Sequence, residues 1–268
     1  MYKKRTAPKR KFARRKVAKR GKGRSSIKRV VKQVLARNLE VKSGAVFVDG
    51  NNIRPATAGA FSVNPIGYDT TFNGIGVAIA QGVGVSNRIG NRITNKKVTL
   101  ALTLTPNPYN ASTNLLPQPV YVQVILFQDR TDPTALPNPI SDFYQVGNVD
   151  VAMTGVISDM MLPVNIDKYK VFYKKSFKIG YAGYAGGTGG TPTAGGYANN
   201  DFKLNQMVRI DCTRFFPKII RYNENNTSPT TNGVFMMVLP FYANGTAVPA
   251  AAIVANYSCV NTVRYTDA

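Results

Sequence analysis

The sequence predicts an all-β protein: an eight-stranded antiparallel jelly roll with a disordered basic N-terminal arm and a short amphipathic helix. Composition gives the first indication, because residues 43–268 are rich in Val, Ile, Thr, Tyr, Phe, Asn, Gly and Pro and contain one Glu. Charge gives the second, because 18 of the 35 Lys and Arg residues fall in the first 42 positions. We therefore divide the chain into a basic arm (1–24), a helix and linker (25–42) and a shell domain (43–268).

The arm, MYKKRTAPKRKFARRKVAKRGKGR, contains 13 Lys and Arg residues and no acid. Mutual repulsion and a shortage of apolar surface predict that it is disordered when free. Such a block of charge is typical of a segment that binds a polyanion. The predicted nucleic-acid contacts in the arm and the following helix are Lys3, Lys4, Arg5, Lys9, Arg10, Lys11, Arg14, Arg15, Lys16, Lys19, Arg20, Lys22, Arg24, Lys28, Arg29 and Lys32.

The next stretch, residues 25–40, has the periodicity of an amphipathic helix. Ser25 or Ser26 can cap its start. Its apolar positions recur at helical spacing: Ile27, Val30, Val31, Val34, Leu35 and Leu39. The apolar face contains no Trp or Phe to anchor it in a bilayer. We therefore expect the apolar face to dock on protein and the basic face to meet nucleic acid.

From residue 44 onward the pattern is that of β-strands. Residues 44–95 carry short apolar pieces and predict irregular edge strands. Residues 98–105 alternate cleanly between apolar and polar, which predicts a half-buried strand ended by Pro106. Residues 119–129 are apolar on both faces and predict a central strand. About eight strands, joined by often long loops and without βαβ alternation, favour a jelly roll or a related sandwich.

The residue types that are missing limit the chemistry. The chain has no His, which excludes Ser-His-Asp and Cys-His nucleophile systems and most zinc sites. Asp129 and Asp132 are a close acidic pair, which either binds a cation or forms a polar turn; the turn is favoured because Pro133 follows. The glycine-rich stretch 180–196 lacks the context of a dinucleotide site and predicts a flexible surface loop. We predict no enzyme, no catalytic residue, no metal and no cofactor.

The cysteines and the apolar runs indicate the setting of the protein. Cys212 and Cys259 lie far apart in the sequence and predict reduced core residues rather than a metal site. The longest apolar runs are about 10 residues, too short for a transmembrane helix. No apolar segment follows the basic start, so we expect no signal peptide and no membrane insertion.

Four stretches of the sequence are distinctive when they are taken in order: VSNRIGNRITNKKVTLALTLT (85–105), KVFYKKSFKI (170–179), KIIRYNENNTSPTTNGVFMMVL (218–239) and the C-terminal VRYTDA. Together they resemble the capsid proteins of circovirus-like circular single-stranded DNA (CRESS-DNA) viruses. The first stretch is similar to the motif that opens the first core strand of that family, with Arg88, Gly90 and Ile93 at the matching positions. The second resembles a later strand with a basic turn, and the last two resemble further units in the same order.

This resemblance implies a viral coat protein that packages circular single-stranded DNA in an icosahedral virion. The shell would be a homo-oligomer of about 60 copies. With a formal charge of +17 on residues 1–42, such a shell would bring roughly 1,000 positive charges to the genome. PKRK and ARRK in the arm also read as a nuclear localisation signal, so host import machinery and the host nucleus are expected, and a cell-surface receptor as a later partner.

The shell domain also offers candidate secondary contacts to nucleic acid, Lys174, Lys175 and Lys178. The competing reading makes them ordinary edge-strand lysines that block aggregation. Three other functions stay open at this point: a capsid protein of a small RNA virus, a non-viral nucleic-acid-binding protein with a basic tail, and a secreted lectin-like module. The last accounts for the body but not for the arm, and the second accounts for the arm but not for so apolar a body.

Overall fold

The computed structural model describes most of the chain beyond residue 40. The described residues are 27, 29–31, 40–56, 63–68, 70, 74–84, 86–107, 110, 112–114, 118–131, 136–180, 184–186, 192–194, 203–230 and 233–267. The chain forms two compact units, Met1–Leu39 and Glu40–Ala268. In the first unit, residues 27 and 29–31 are helical and the side chains of Ile27, Val30 and Val31 are exposed. Glu40, the last residue of the predicted helix, is not helical, and the other residues of the predicted arm and helix lie outside the described part.

The described part of the second unit consists of β-strands and short 3-10 helices. The described strands are β1 (Lys42–Ile53), β2 (Val63–Ile66), β3 (Arg92–Pro106), β4 (Val120–Asp129), β5 (Tyr144–Val146), β6 (Val149–Val151), β7 (Tyr169–Ile179), β8 (Tyr184–Gly186), β9 (Pro192–Ala194), β10 (Gln206–Asp211), β11 (Ile219–Arg221), β12 (Val234–Tyr242) and β13 (Ala255–Asp267). The 3-10 helices are Ile157–Met161 and Thr213–Phe215.

Eight of these strands form a jelly roll, as the sequence predicted. A five-stranded sheet has the order β1-β13-β3-β10, with β11 also paired to β3, and a four-stranded sheet has the order β2-β12-β4-β7. Every pairing in the two sheets is antiparallel. The pairs are nested along the chain: β1 with β13, β2 with β12, β3 with β10, and β4 with β7. This nesting is the wrapped double-sheet arrangement of a jelly roll.

The family resemblance predicts that the strand after the Arg88 motif is the first core strand. In the structure it is the third. β1 and β2 precede it, and β3 lies inside its sheet between β13 and β10. β1 is an edge strand with a register shift between Val48 and Asn51. Because one face of β1 is open to solvent, its sequence carries only a weak apolar alternation, which is why it looked irregular.

The main core fills the space between the two sheets. Leu100, Leu102 and Leu104 of β3 point into it and are at most 2% exposed. Val122 and Val124 of β4 face them from the other sheet. The intervening residues of β3 point outward, so the alternation read from the sequence is the alternation between core and solvent.

A second core covers the outer face of the four-stranded sheet. Ile125 and Phe127 of β4 pack there against Phe143 and Tyr144, which belong to the segment 136–168. The Phe127 and Phe143 rings meet edge to face with 5.5 Å between centroids. The four-stranded sheet is therefore buried on both faces, which explains why β12 has no charged or amide side chain and why β4 has apolar residues on both faces.

The glycine-rich stretch contains one element that the sequence did not predict. β8 and β9 pair as a short antiparallel hairpin, with Tyr184 opposite Ala194. The other residues between 181 and 202 lie outside the described part of the chain.

Candidate nucleic-acid interface

The predicted nucleic-acid contacts fall mostly outside the described residues. All the predicted contact residues from Lys3 to Arg24 in the sequence lie outside the described part, and so do Lys28 and Lys32. Arg29 is described, and it is helical with an exposed side chain. The guanidinium is thus accessible to a phosphate, while the role of the arm stays a prediction.

The three candidate lysines of β7 are not brought together. Lys174 and Lys178 are registered against Ile125 and Tyr121, whose side chains belong to the outer core. Lys175 is registered against Val124, which belongs to the core between the sheets. Successive side chains of a strand point to opposite faces, so Lys175 projects away from the other two. No single surface is formed by all three.

Each of these lysines lies over an aromatic ring. The Lys174 ammonium is 5.2 Å from the centroid of the Tyr144 ring, and burial lowers the pKa of Lys174. Lys175 lies 5.3 Å from the centroid of Phe177. β7 is the edge strand of its sheet, and the aliphatic parts of its lysine side chains pack along aromatic rings. This arrangement fits the alternative interpretation, in which the lysines cover apolar surface and block pairing with another strand.

A set of cations that does share one surface lies on the outer face of the five-stranded sheet. The sequence analysis did not predict this set. Arg92 and Lys97 of β3 and Arg264 of β13 are exposed there, since their neighbours point into the core. Arg209 of β10 and Arg221 of β11 are exposed on the same face. Alternation alone would have shown that each points outward. Their proximity depends on the register of distant strands, which no local pattern reveals.

Arg88, the first residue of the family-like motif, is a structural residue rather than a nucleic-acid contact. Its side chain is fully buried. Its guanidinium donates hydrogen bonds to the carbonyl oxygens of Gly90 (2.5 Å), Asn223 (3.2 Å) and Asn226 (2.7 Å) and lies over the Tyr222 ring. Arg88 thereby ties the loop before β3 to the loop after β11.

The C-terminal motif reaches the same corner of the molecule. Lys42, the first residue of β1, forms a buried salt bridge of 2.8 Å with Asp267 and donates a hydrogen bond to the carbonyl oxygen of Asn87. The Tyr265 hydroxyl donates to the carbonyl oxygen of Ser86. These contacts join the first strand, the last strand and the loop 86–91 into one latch.

The acidic candidate behaves as a turn. The Asp129 carboxylate accepts hydrogen bonds from the backbone N–H of Thr131 at 2.7 Å and from its hydroxyl at 2.6 Å. This is an Asx turn at the end of β4. Asp132 lies outside the described residues. Among the residues that the structure describes, no group of three or more His, Cys, Asp or Glu side chains is placed to hold a metal ion.

The cysteine prediction is confirmed. Cys212 and Cys259 are free and buried, and burial raises the pKa of each thiol to about 12. Within the described part of the chain, no helix is both long and apolar enough to cross a bilayer.

Comparison with known proteins gives no family for this chain. No protein-family model and no curated protein matches it. Among solved structures, a structure of PNGF-II aligns with a TM-score of 0.34 at 9% sequence identity. The alignment covers 87% of this chain but 36% of that one, and a similarity this low carries no functional argument.

Proposed function

We propose that this protein is a viral capsid protein that self-assembles into an icosahedral shell and packages circular single-stranded DNA. One observation carries the proposal: a segment of formal charge +17 is continuous with a jelly roll whose two sheets have nested strand pairs. Jelly rolls occur in viral capsids, lectins and cupins. Of these, a capsid is the one whose task requires a polyanion-binding arm on a rigid β domain.

The arm would neutralise the genome. Each Lys or Arg close to a phosphate releases condensed counterions, so binding is entropic, independent of sequence and sensitive to salt. Arginine suits this role because it binds phosphate through two hydrogen bonds and stacks on unpaired bases. The same basic clusters would direct the subunit to the nucleus before assembly, so import and packaging follow one another.

The body would supply the contacts between subunits. Several large apolar side chains are exposed in one chain segment that covers the four-stranded sheet: Val146 (53%), Val149 (67%), Met161 (88%) and Ile166 (70%). Exposed apolar surface on a protein that already has two cores is typical of an interaction surface. Burial of these side chains between copies would favour assembly. A catalytic role is not part of this proposal.

Size-exclusion chromatography with negative-stain microscopy tests the proposal. The full chain, expressed and moved stepwise from high to low salt, is expected to form closed particles of uniform size. With about 60 copies of 29.2 kDa, their protein mass would be near 1.8 MDa. A monomer or dimer at every salt concentration would rule out a shell.

The competing cargo is tested on the same particles. Disassembled subunits would be reassembled with equal amounts of circular single-stranded DNA and of RNA of the same length. Preferential protection of DNA from nuclease is expected, whereas preferential protection of RNA would favour an RNA virus capsid. If the protein binds the DNA or the RNA but forms no particles, a non-viral nucleic-acid-binding protein would be favoured.

A further inference from the structure

We propose that the outer face of the five-stranded sheet is a second nucleic-acid-binding surface, which contacts backbone phosphates through Lys97, Arg209 and Arg264. The inference rests on the proposed packaging function and adds a site in the β body to the one expected in the arm. It assigns the inward side of the shell to this sheet.

The first observation is a pair of like charges placed directly opposite each other. In the register of β13 and β3, Arg264 faces Lys97, and both side chains are exposed. Like charges in a cross-strand pair destabilise a sheet. No described carboxylate lies within salt-bridge distance of either one. The folded chain alone gains nothing from this pair, whereas a bound anion would relieve the repulsion.

The second observation is a shallow cavity at this pair. It has a volume of about 70 Å³ and is lined by Lys97, Thr99, Arg209, Thr262 and Arg264. That is room for a few water molecules, a scale suited to one phosphate group. Three cations and two hydroxyl groups provide the donors that phosphate oxygens accept.

The third observation is that the carboxylates of this sheet already have partners. Asp49 accepts a hydrogen bond of 2.5 Å from Ser258, and Asp267 pairs with Lys42. Asp211, the acid nearest the cavity, accepts from the backbone N–H of Thr213 at 3.0 Å and from its hydroxyl at 2.5 Å. These bonds, helped by Lys97 and Arg214, lower the pKa of Asp211. The hydrogen bonds of these carboxylates are thus made elsewhere, and among the described residues none of them forms a salt bridge with Lys97, Arg209 or Arg264.

A second like-charge pair indicates a polymer rather than a single phosphate ion. Arg221 of β11 faces Arg92 of β3, and both are exposed on the same face as Lys97. Arg92 and Lys97 are five residues apart on β3, which corresponds to about 16 Å along the strand. One phosphate ion cannot contact both pairs. Successive phosphates of one nucleic-acid strand can.

The test measures the salt dependence of binding by the full chain. The probe is a fluorescent oligothymidylate, long enough that the arm cannot neutralise all of its phosphates. The variant Lys97→Gln/Arg209→Gln/Arg264→Gln removes three charges from the cavity. The control Arg130→Gln/Lys170→Gln/Lys203→Gln removes three exposed charges that neither line the cavity nor belong to the predicted nucleic-acid contacts. The two variants have the same net charge, so they separate a local site from the overall field of the protein.

Loss of three phosphate contacts is expected to reduce the slope of log K against log salt by about 2, at about 0.7 per contact. This corresponds to about 100-fold weaker binding at 0.1 M salt than in the unmodified chain. The control is expected to keep the slope of the unmodified chain. Urea midpoints of the two variants at or above that of the unmodified chain would show that the fold is retained; the cavity variant is expected to have a slightly higher midpoint, because the repulsion between Arg264 and Lys97 is removed.

Other outcomes overturn the inference in distinguishable ways. If both variants lose the same slope, only net charge matters; if the cavity variant keeps its slope, the surface does not contact phosphate. In either case the packaging function survives. If the unmodified chain shows no salt-dependent binding at all, the proposed function and this inference both fail. Competition by inorganic phosphate at constant ionic strength, complete at low millimolar concentration, would identify a site for the free ion instead.

Discussion

The two sheets of the jelly roll share one core but differ on their outer faces. The four-stranded sheet is covered by residues 136–168, and its strand β12 is buried at every position. In the described part of the chain, the outer face of the five-stranded sheet is open and carries threonines and cations that form no salt bridge. A sheet covered on both faces can only be structural, whereas an open face with uncompensated charge is available for a ligand. If the proposed function holds, the genome would lie against the open face of the five-stranded sheet, and the contacts between subunits would involve the segment that covers the four-stranded sheet.

The largest expected effect compares one substitution on the two sheets. Phe127→Ala removes a fully buried ring from the outer core of the four-stranded sheet, and the cost is expected to be about 3–5 kcal/mol. Phe47→Ala acts on the open face, where the ring is 66% exposed, and is expected to cost less than about 1 kcal/mol. Urea unfolding of the two variants measures both values. Similar costs would break the distinction between a covered and an open face.

The next effect compares a buried arginine with an exposed one. Arg88→Gln leaves three carbonyl oxygens without their charged donor, and we expect a loss of about 3 kcal/mol in the free energy of unfolding. Arg264→Gln removes an exposed charge that has no described partner, so no comparable loss is expected. Thermal and urea unfolding would check both. A stable Arg88→Gln variant would mean that the loops at 88–91 and 222–226 do not depend on the hydrogen bonds of the Arg88 guanidinium.

A smaller effect tests whether the inner face of the five-stranded sheet is dry. Burial raises the pKa of the Cys259 thiol from its ordinary value of about 8.5 to about 12. A raised acid pKa means that the folded state holds the proton more tightly. The contribution of the protonated Cys259 thiol to the free energy of unfolding is thus complete below about pH 8.5, and it is lost as pH rises towards 12.

Urea unfolding between pH 7.5 and 9.5 measures this contribution. The unmodified protein is expected to lose stability over this range, by on the order of 1 kcal/mol for each thiol. In Cys259→Ala, which starts from a lower stability, the loss with pH should be smaller by about that amount. An unchanged pH dependence would show that water reaches the thiol between the sheets.

The smallest predicted effect has the opposite sign. Because Arg264 and Lys97 repel each other, Arg264→Thr is expected to stabilise the free protein by about 0.2–1 kcal/mol. The gain should shrink at high salt, where the repulsion is screened. Urea unfolding at two salt concentrations checks this. Destabilisation at low salt would mean that the two cations already have a compensating partner.

Local patterns in the sequence were sufficient for much of this fold. The alternation of residues 98–105 predicted a strand with one face in the core, and the two-sided apolar run at 119–129 predicted a strand buried on both faces. Both predictions are confirmed, because the burial of each strand follows from the pattern of apolar residues within that strand. β1 was harder to recognise, because an edge strand with an open face carries a weak signal and pairs with residues more than 200 positions away.

The candidate site was less predictable for the same physical reason. A lysine cluster within ten residues of β7 was visible in the sequence, yet alternation divides it between two faces. Lys97 and Arg264 are far apart in the sequence and become neighbours only through the register of β3 and β13. The sequence also could not show that Arg88 is buried, because a burial of this kind depends on carbonyl oxygens from a distant loop.

The central claim is a division of labour between a basic arm that gathers nucleic acid and a β body that forms the shell. The most direct measurement compares the full chain with a variant in which the 13 Lys and Arg residues of positions 2–24 are replaced by Gln. The ratio of absorbance at 260 and 280 nm would report co-purified nucleic acid, and urea unfolding would report the body. We predict an unchanged urea midpoint and loss of most of the nucleic acid, with a small salt-sensitive remainder held by the five-stranded sheet. Full retention of nucleic acid by the variant would contradict the account.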